Sequence, residues 1–286
     1  VKFRFRALIN NFLMFTMRNV ILLLFGTLLI LTGCKIGTKK IGDISQSDRK
    51  KLESVACCDK GPLNQLTDAE KAQGWLLMFD GKTSVGWRGY NKTNFPAAWV
   101  VEDGTLRLRG EESRGDSGKV DGGDIVYSKR LFSDFDLRLE WKISEGGNSG
   151  VFYLGREVEG WPIYKSAPEM QILDNEKNPD ALRGIDGNRK AGSLYDLLPA
   201  NPQNARPAGE WNSIEIICLQ GKVVHRQNGV KVLEYELWTP QWKALVDKSK
   251  FPLMNPQWEN IAKEGVIALQ DHGNDVWFRN IKIRVL

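Results

Sequence analysis

Phe135-Asp-Leu-Arg-Leu-Glu-Trp-Lys-Ile143 places an apolar residue at every odd position and a charged one at every even position. Successive side chains of a strand point to opposite faces, so this stretch predicts a half-buried antiparallel strand with its odd residues in a core. Leu106-Arg-Leu-Arg109 repeats the pattern after an Asp103-Gly104 turn. Lys222–Gln227 and Val230–Tyr235, joined by Asn228-Gly229, form a hairpin pattern with a tight turn. Trp211–Leu219, Val266–Gln270 and Val276–Val285 read as further strands. Helical pattern is confined to two places. Thr67-Asp-Ala-Glu70 is a capping box that opens a short helix ending near Gly74, and a second segment lies near Pro240–Lys250. Without a βαβ rhythm, many short strands predict an all-β chain: an antiparallel β-sandwich or jelly roll with a short N-terminal helix.

Upstream of this domain the pattern is that of an address. Lys2, Arg4, Arg6 and Arg18 are the only charged residues before Cys34, and Val20–Leu31 is an uninterrupted uncharged run of twelve residues. A membrane span needs about 20 residues, so the run matches the apolar region of a signal peptide. Leu31-Thr32-Gly33-Cys34 has the form of a bacterial lipoprotein cleavage site, which makes Cys34 the expected lipidated first residue. Residues 1–33 are therefore expected to be a signal peptide, 34–60 a flexible polar tether and 61–286 the folded domain. The expected location is the cell envelope, as an outer-membrane lipoprotein facing periplasm or cell surface, with membrane contact through the anchor only.

Charge and cysteine usage narrow the function further. The chain of 286 residues has 40 Lys and Arg against 35 Asp and Glu. Four of the basic residues and no acidic one precede Cys34, so 36 face 35 in the remainder and the apparent basic excess vanishes. No basic stripe suggests a nucleic-acid partner. Cys57 and Cys58 are adjacent, Cys218 lies in an apolar run as a buried small residue, and no C-x-x-C suggests zinc. Two histidines exclude a multi-histidine metal centre, whereas ten tryptophans all lie after Cys34. Nucleophile-elbow, phosphate-loop and EF-hand patterns are absent.

Candidate site residues come from strands that break the apolar rule. In Pro168-Glu-Met-Gln-Ile-Leu-Asp-Asn175, alternation puts Glu169, Gln171 and Leu173 on one face and Met170, Ile172 and Asp174 on the other. That is a polar floor bearing one carboxylate, or a solvated outer face. His272 closes an apolar strand beside Gly273, a place from which it could titrate, ligate or merely close a turn. His225, alternating with Val223, reads as structural. Gly147-Asn148-Ser-Gly150 supplies small residues for close approach or a tight bend. Trp161 and Tyr164 are loop aromatics suited to stacking on a sugar ring or to packing on their own domain. Asp271, Asn274 and Asp275 offer oxygen ligands for Ca²⁺, but a turn uses the same residue types, so no metal or other cofactor is required.

Seven ordered blocks carry a resemblance. Gly74-Trp to Thr83 with Gly86-Trp87, Gly147–Phe152, Pro168–Asp174, Gly192-Ser-Leu-Tyr195, Gly209–Asn212, Asn228-Gly229, and Leu269–Gly273 with Val276–Ile281 together resemble the 3-keto-disaccharide hydrolase family. The resemblance implies a concanavalin-like jelly roll and an exported enzyme that takes an oligosaccharide or glycoside whose sugar is oxidised at carbon 3. Such a ketone acidifies the hydrogen on carbon 2, so a base removes it and the aglycone leaves carbon 1; water then adds back, or the product is released as from a lyase. This chemistry needs a base, an acid and a donor for the enolate, rather than the two spaced carboxylates of an ordinary glycosidase. The expected assignment makes Glu169 and His272 the acid–base pair in either order. Gln171, Asp174, Tyr195, Tyr164, Asn148 and Trp161 would bind the sugar, and Arg279 would face the enolate, although alternation groups Arg279 with Ile281, Ile283 and Val285. The alternative is a non-catalytic, lectin-like carbohydrate-binding domain. A laminarinase-type site is disfavoured, because its Glu-x-Asp-x-x-Glu strand meets Gln171 in place of the middle Asp here, with no closing Glu at Asp174 or Asn175.

Overall fold

The strand Phe135–Ile143 is present as read, with Phe135, Leu137, Leu139, Trp141 and Ile143 all buried. It lies inside an eight-stranded antiparallel sheet ordered β11 (Val230–Glu236), β10 (Lys222–Gln227), β9 (Asn212–Leu219), β6 (Phe135–Ile143), β13 (Val276–Val285), β4 (Thr105–Leu108) and β3 (Trp99–Glu102), with β1 (Trp75–Leu77) also pairing β13. A five-stranded sheet packs against it, ordered β2 (Trp87–Gly89), β5 (Ile125–Tyr127), β12 (Val266–Leu269), β7 (Asn148–Gly155) and β8 (Glu169–Leu173). This is the expected jelly-roll sandwich of antiparallel sheets. The computed structural model describes residues 45–53, 61–111 and 120–286. The leader, Cys34, Cys57 and Cys58 lie outside the described residues.

The inward faces of both sheets share one core containing Trp99, Trp141, Phe135, Phe278, Ile125, Tyr153, Met170 and Leu269. Burial of each large apolar side chain contributes roughly 2–3 kcal/mol. Cys218 and His225 belong to this interior, as expected: both are fully buried, and His225 shares a 2.9 Å hydrogen bond with the Tyr153 hydroxyl. Desolvation pushes the Cys218 thiol up to about 12 and His225 down to about 4, so both are neutral at physiological pH.

Arg279 departs from the expectation. A bulge between Arg279 and Lys282, with Asn280 at φ 52°, shifts the alternation of β13 by one residue. Phe278 and Ile281 therefore both point inward, while Arg279 points outward. Its Nε lies 2.6 Å from Glu140 Oε2, and its guanidinium stacks 3.8 Å from the Trp211 ring.

The expected N-terminal helix is α2 (Asp68–Ala72), closed by a complete Thr67–Glu70 capping box. Glu70 Oε2 accepts the Thr67 N–H at 2.8 Å, while its other oxygen pairs with the buried Lys282. A further helix, α1 (Gln46–Glu53), stands inside the segment read as a tether. Its polar sequence gives no apolar periodicity to detect. Its start is set locally, with Ser45 Oγ accepting the Asp48 N–H at 3.2 Å and donating to Asp48 Oδ2 at 2.7 Å. The second predicted helical segment holds α3 (Pro240–Val246) and, just beyond, the single turn α4 (Phe251–Met254).

Candidate active site

The outer face of the five-stranded sheet is divided between two rows of side chains. Register pairs Val126 with Ala268, Ala268 with Phe152, and Phe152 with Glu169, so these four lie in one row across β5, β12, β7 and β8. Val126, Ala268 and Phe152 form a small apolar cluster with Tyr90, Ile163, Ala167 and Val266. One pleat further along lies a polar row, Asp124, Gln270, Gly150 and Gln171, joined by the Gly150–Gln171 pairing and the 3.0 Å bond from Gln270 N–H to Gly150 C=O.

Glu169 begins in the apolar row and leans into the polar one. A Cβ on Gly150 would lie 2.0 Å from Glu169 Oε1, so only glycine leaves room for the carboxyl. This is the close approach that the small residues of Gly147–Gly150 suggested. With its amide oriented to satisfy its neighbours, Gln171 donates to Glu169 Oε1 at 3.1 Å and to the Ser149 C=O at 3.0 Å. Burial, reinforced by the nearby negative charge of Asp124, lifts Glu169 to about 8. Asp124 itself is lifted to about 7 by desolvation, although the Asp271 N–H donates to its Oδ1 at 2.9 Å.

The other edge of β8 is covered by the Gly192–Tyr195 block. Tyr195 N–H donates to the Glu169 C=O at 3.0 Å, and Gln171 N–H to the Ser193 C=O at 3.0 Å. This backbone pairing carries the Tyr195 ring over the floor. Its hydroxyl donates to Asp180 Oδ2 at 3.0 Å and accepts from Lys250 Nζ at 2.9 Å. Burial and the Asp180 charge raise the Tyr195 hydroxyl well above its ordinary value. Tyr164, Pro162, Phe251 and Met254 complete an apolar wall. Trp258 ties this wall together, stacking on Phe251 at 4.0 Å and donating its indole N–H to the Tyr164 C=O at 2.8 Å.

The result is a hollow of about 400 Å³ lined by Glu169, Gln171, Asn148, Tyr195, Tyr164 and His272 among the residues expected from the sequence. His272 is exposed at its mouth. Three expected residues fall elsewhere. Asp174 accepts the N–H groups of Gly146 at 2.7 Å and Glu176 at 3.0 Å, so its buried carboxylate fixes the turn at the end of β8. Trp161 is not part of the lining; it lies beside it, with Lys165 Nζ 5.7 Å from its ring. Arg279 lines a separate hollow on the outer face of the eight-stranded sheet, among charges that are paired with one another.

Asp124, Gln270 and Lys250 were missed by the sequence reading. Asp124 follows a glycine pair before a strand of three residues, too short to show alternation. Lys250 projects from the N-terminus of a single helical turn. The oxygens considered for Ca²⁺ are engaged otherwise: Asp271 accepts from Gly123 and Gly273, Asn274 from Asn148, and Asp275 from Arg107. Among the described residues no group of three His, Cys, Asp or Glu side chains could hold a metal.

A two-sheet sandwich with two carboxyls of near-neutral acidity in one sugar-sized hollow has the equipment of a glycosidase-type enzyme. The sequence model of the 3-keto-alpha-glucoside-1,2-lyase-like domain matches residues 74–284, and the chain belongs to that family. It is 44% identical over 280 residues to the 3-keto-disaccharide hydrolase of Bacteroides thetaiotaomicron, covering 90% of this chain and 94% of that one. Two solved structures from Parabacteroides distasonis, both provisionally designated glycosyl hydrolases, are also similar. The first has a TM-score of 0.68 at 30% identity, covering 79% of this chain and 100% of the other. The second has a TM-score of 0.53 at 28% identity, covering 70% and 99%.

Proposed function

We propose that this chain cleaves 3-keto-glycosides by removing the proton on carbon 2 and releasing the aglycone from carbon 1. The observation that carries the reading is the Asp124–Glu169 pair, two carboxyls on one sheet face that are both raised toward neutrality. In the proposed cycle Asp124 starts ionised and Glu169 protonated, the order that the stronger upward shift of Glu169 favours. Asp124 takes the carbon-2 proton, and Glu169 gives its proton to the departing oxygen. When water adds at carbon 1, Glu169 accepts the proton of the water and Asp124 returns its own to carbon 2, so both groups regain their starting states. Gln171, Asn148 and Gln270 offer amides to the ring hydroxyls, and Tyr164 and His272 flank the aglycone at the mouth. The name of the Bacteroides relative supports the substrate class, and the sandwich lacks the carboxylate spacing motif of a laminarinase-type strand.

Incubation with an aryl 3-keto-glucoside tests the proposal. Aglycone release by the native protein is expected, with loss of at least about 10²-fold in Asp124→Asn and Glu169→Gln. Binding without release would instead support the lectin-like alternative. In D₂O, recovered substrate or product is expected to carry deuterium at carbon 2. The same proposal places the enzyme in the cell envelope, exported by residues 1–33 and held by a lipid on Cys34. Incorporation of labelled palmitate by the native protein but not by Cys34→Ala is the expected result.

A further inference from the structure

The acid–base pair handles two protons, yet the proposed reaction also builds negative charge on the oxygen at carbon 3. When the carbon-2 C–H bond breaks, its electrons form a carbon 2–carbon 3 double bond and the carbonyl pair moves onto that oxygen. The charge then returns: the carbonyl reforms, a carbon 1–carbon 2 double bond appears, and the C–O bond to the aglycone breaks with its electrons on the leaving oxygen. Between these events the enolate needs a donor. Arg279, the cation suggested by sequence, stands on the other sheet and is paired with Glu140.

We propose that Lys250 is the catalytic residue that receives the enolate oxygen. This rests on the 3-keto-glycoside reading of the hollow, of which Lys250 forms part of the lining. Its ammonium donates once, to the Tyr195 hydroxyl at 2.9 Å, and sits 4.2 Å from the centre of that ring. Among the described residues no carboxylate lies within ion-pair distance of it, in contrast to Arg189, which binds both Asp180 at 3.0 Å and Asp196 at 2.5 Å. An ammonium has three donors, so two remain for a ligand in the hollow. Tyr195 is not the better donor, because its proton is committed to Asp180. The chain Arg189–Asp180–Tyr195 thus fixes a hydroxyl oxygen that orients Lys250, while no carboxylate of the described residues touches its ammonium. Partial burial, the main influence on Lys250, lowers its affinity for its proton and strengthens donation to an oxyanion.

The test is kcat on a series of aryl 3-keto-glucosides of graded leaving-group acidity, for the native protein, Lys250→Met and Lys250→Arg. Carbon-2 deuterium exchange in D₂O is read in parallel. If Lys250 donates to the enolate, its loss in Lys250→Met lowers every member of the series equally, by about 10²–10³-fold, and lowers exchange by the same factor. Lys250→Arg, which keeps the charge, is expected to recover part of this. A loss that shrinks as the leaving group improves would place Lys250 on the aglycone oxygen and overturn the inference. So would Lys250→Met turning over like the native enzyme, or equal losses in the Met and Arg variants. If the native protein itself releases no aglycone, the 3-keto-glycoside reading falls first and takes the inference with it.

Discussion

Glu169→Gln is expected to stabilise the protein at neutral pH while removing its activity. The ordinary carboxyl value of 4.5 describes Glu169 in the unfolded chain, and the folded value is about 8. The fold therefore keeps a proton that the unfolded chain has released. This contribution is fully present below pH 4.5 and is lost as the pH climbs toward 8. At 1.36 kcal/mol per pH unit, the loss reaches about 3 kcal/mol at pH 7. Glutamine has nearly the same shape and no charge to desolvate, so it escapes that loss. Urea unfolding followed by tryptophan fluorescence at pH 4.5, 6, 7 and 8 measures the difference. Native and variant stabilities are expected to converge at the acid end and to separate by roughly 3 kcal/mol at pH 7, or about 6–12 °C in melting temperature for a domain of this size. Asp124 titrates in both proteins and drops out of the comparison to first order. Parallel stability curves would refute the claim that Glu169 is held protonated by its surroundings.

Three further outcomes follow from the same geometry. The rate of glycoside cleavage is expected to rise through about pH 7 as Asp124 ionises and to fall above about pH 8 as Glu169 loses its proton; Asp124→Asn should abolish the acid limb along with most activity. Gly150→Ala puts a methyl 2.0 Å from the Glu169 oxygen, so the carboxyl must swing away, and a fall in kcat of about 10²-fold with little change in fold by circular dichroism is expected. Arg279→Ala removes a partly buried ion pair and a stacking contact on the remote sheet, and is expected to leave cleavage within about twofold while lowering stability by about 1 kcal/mol.

The fold was legible because the strands that dominate it are half-buried and long enough to alternate. β6 has nine residues, and the Asn228-Gly229 turn has both residues at positive φ, as a tight hairpin requires. Alternation failed where the backbone departs from a regular pleat. The bulge at Asn280 reversed the side on which Arg279 emerges, and a bulge leaves no periodic mark in a sequence. The site was half legible. Glu169 and Gln171 announce themselves as polar residues on a strand with an apolar opposite face, and Gly192–Tyr195 falls beside them through backbone pairing. Asp124 and Lys250 arrive from segments 45 residues before and 81 residues after Glu169, as their numbers show, and meet it only because the topology places β5 and α4 around β8.

Reactivity and instability at this site have a single structural origin. By register Glu169 belongs to the row of Phe152, Ala268 and Val126, which is dry, and its carboxyl reaches the polar row only across the gap left by Gly150. A glutamate set wholly in the polar row would lose the desolvation that Phe152, Ala268 and Val126 add and would hold its proton less firmly at neutral pH, with less of it to give an aglycone oxygen. One turned wholly into the apolar cluster would be protonated but out of reach of a sugar. The intermediate placement needs a residue without a side chain at position 150 and an apolar row at position 152, one strand away from the acid they tune. Substitutions at Gly150 or Phe152 should therefore move the alkaline limb of the pH profile before they alter the fold, since each changes how much water the Glu169 carboxyl meets.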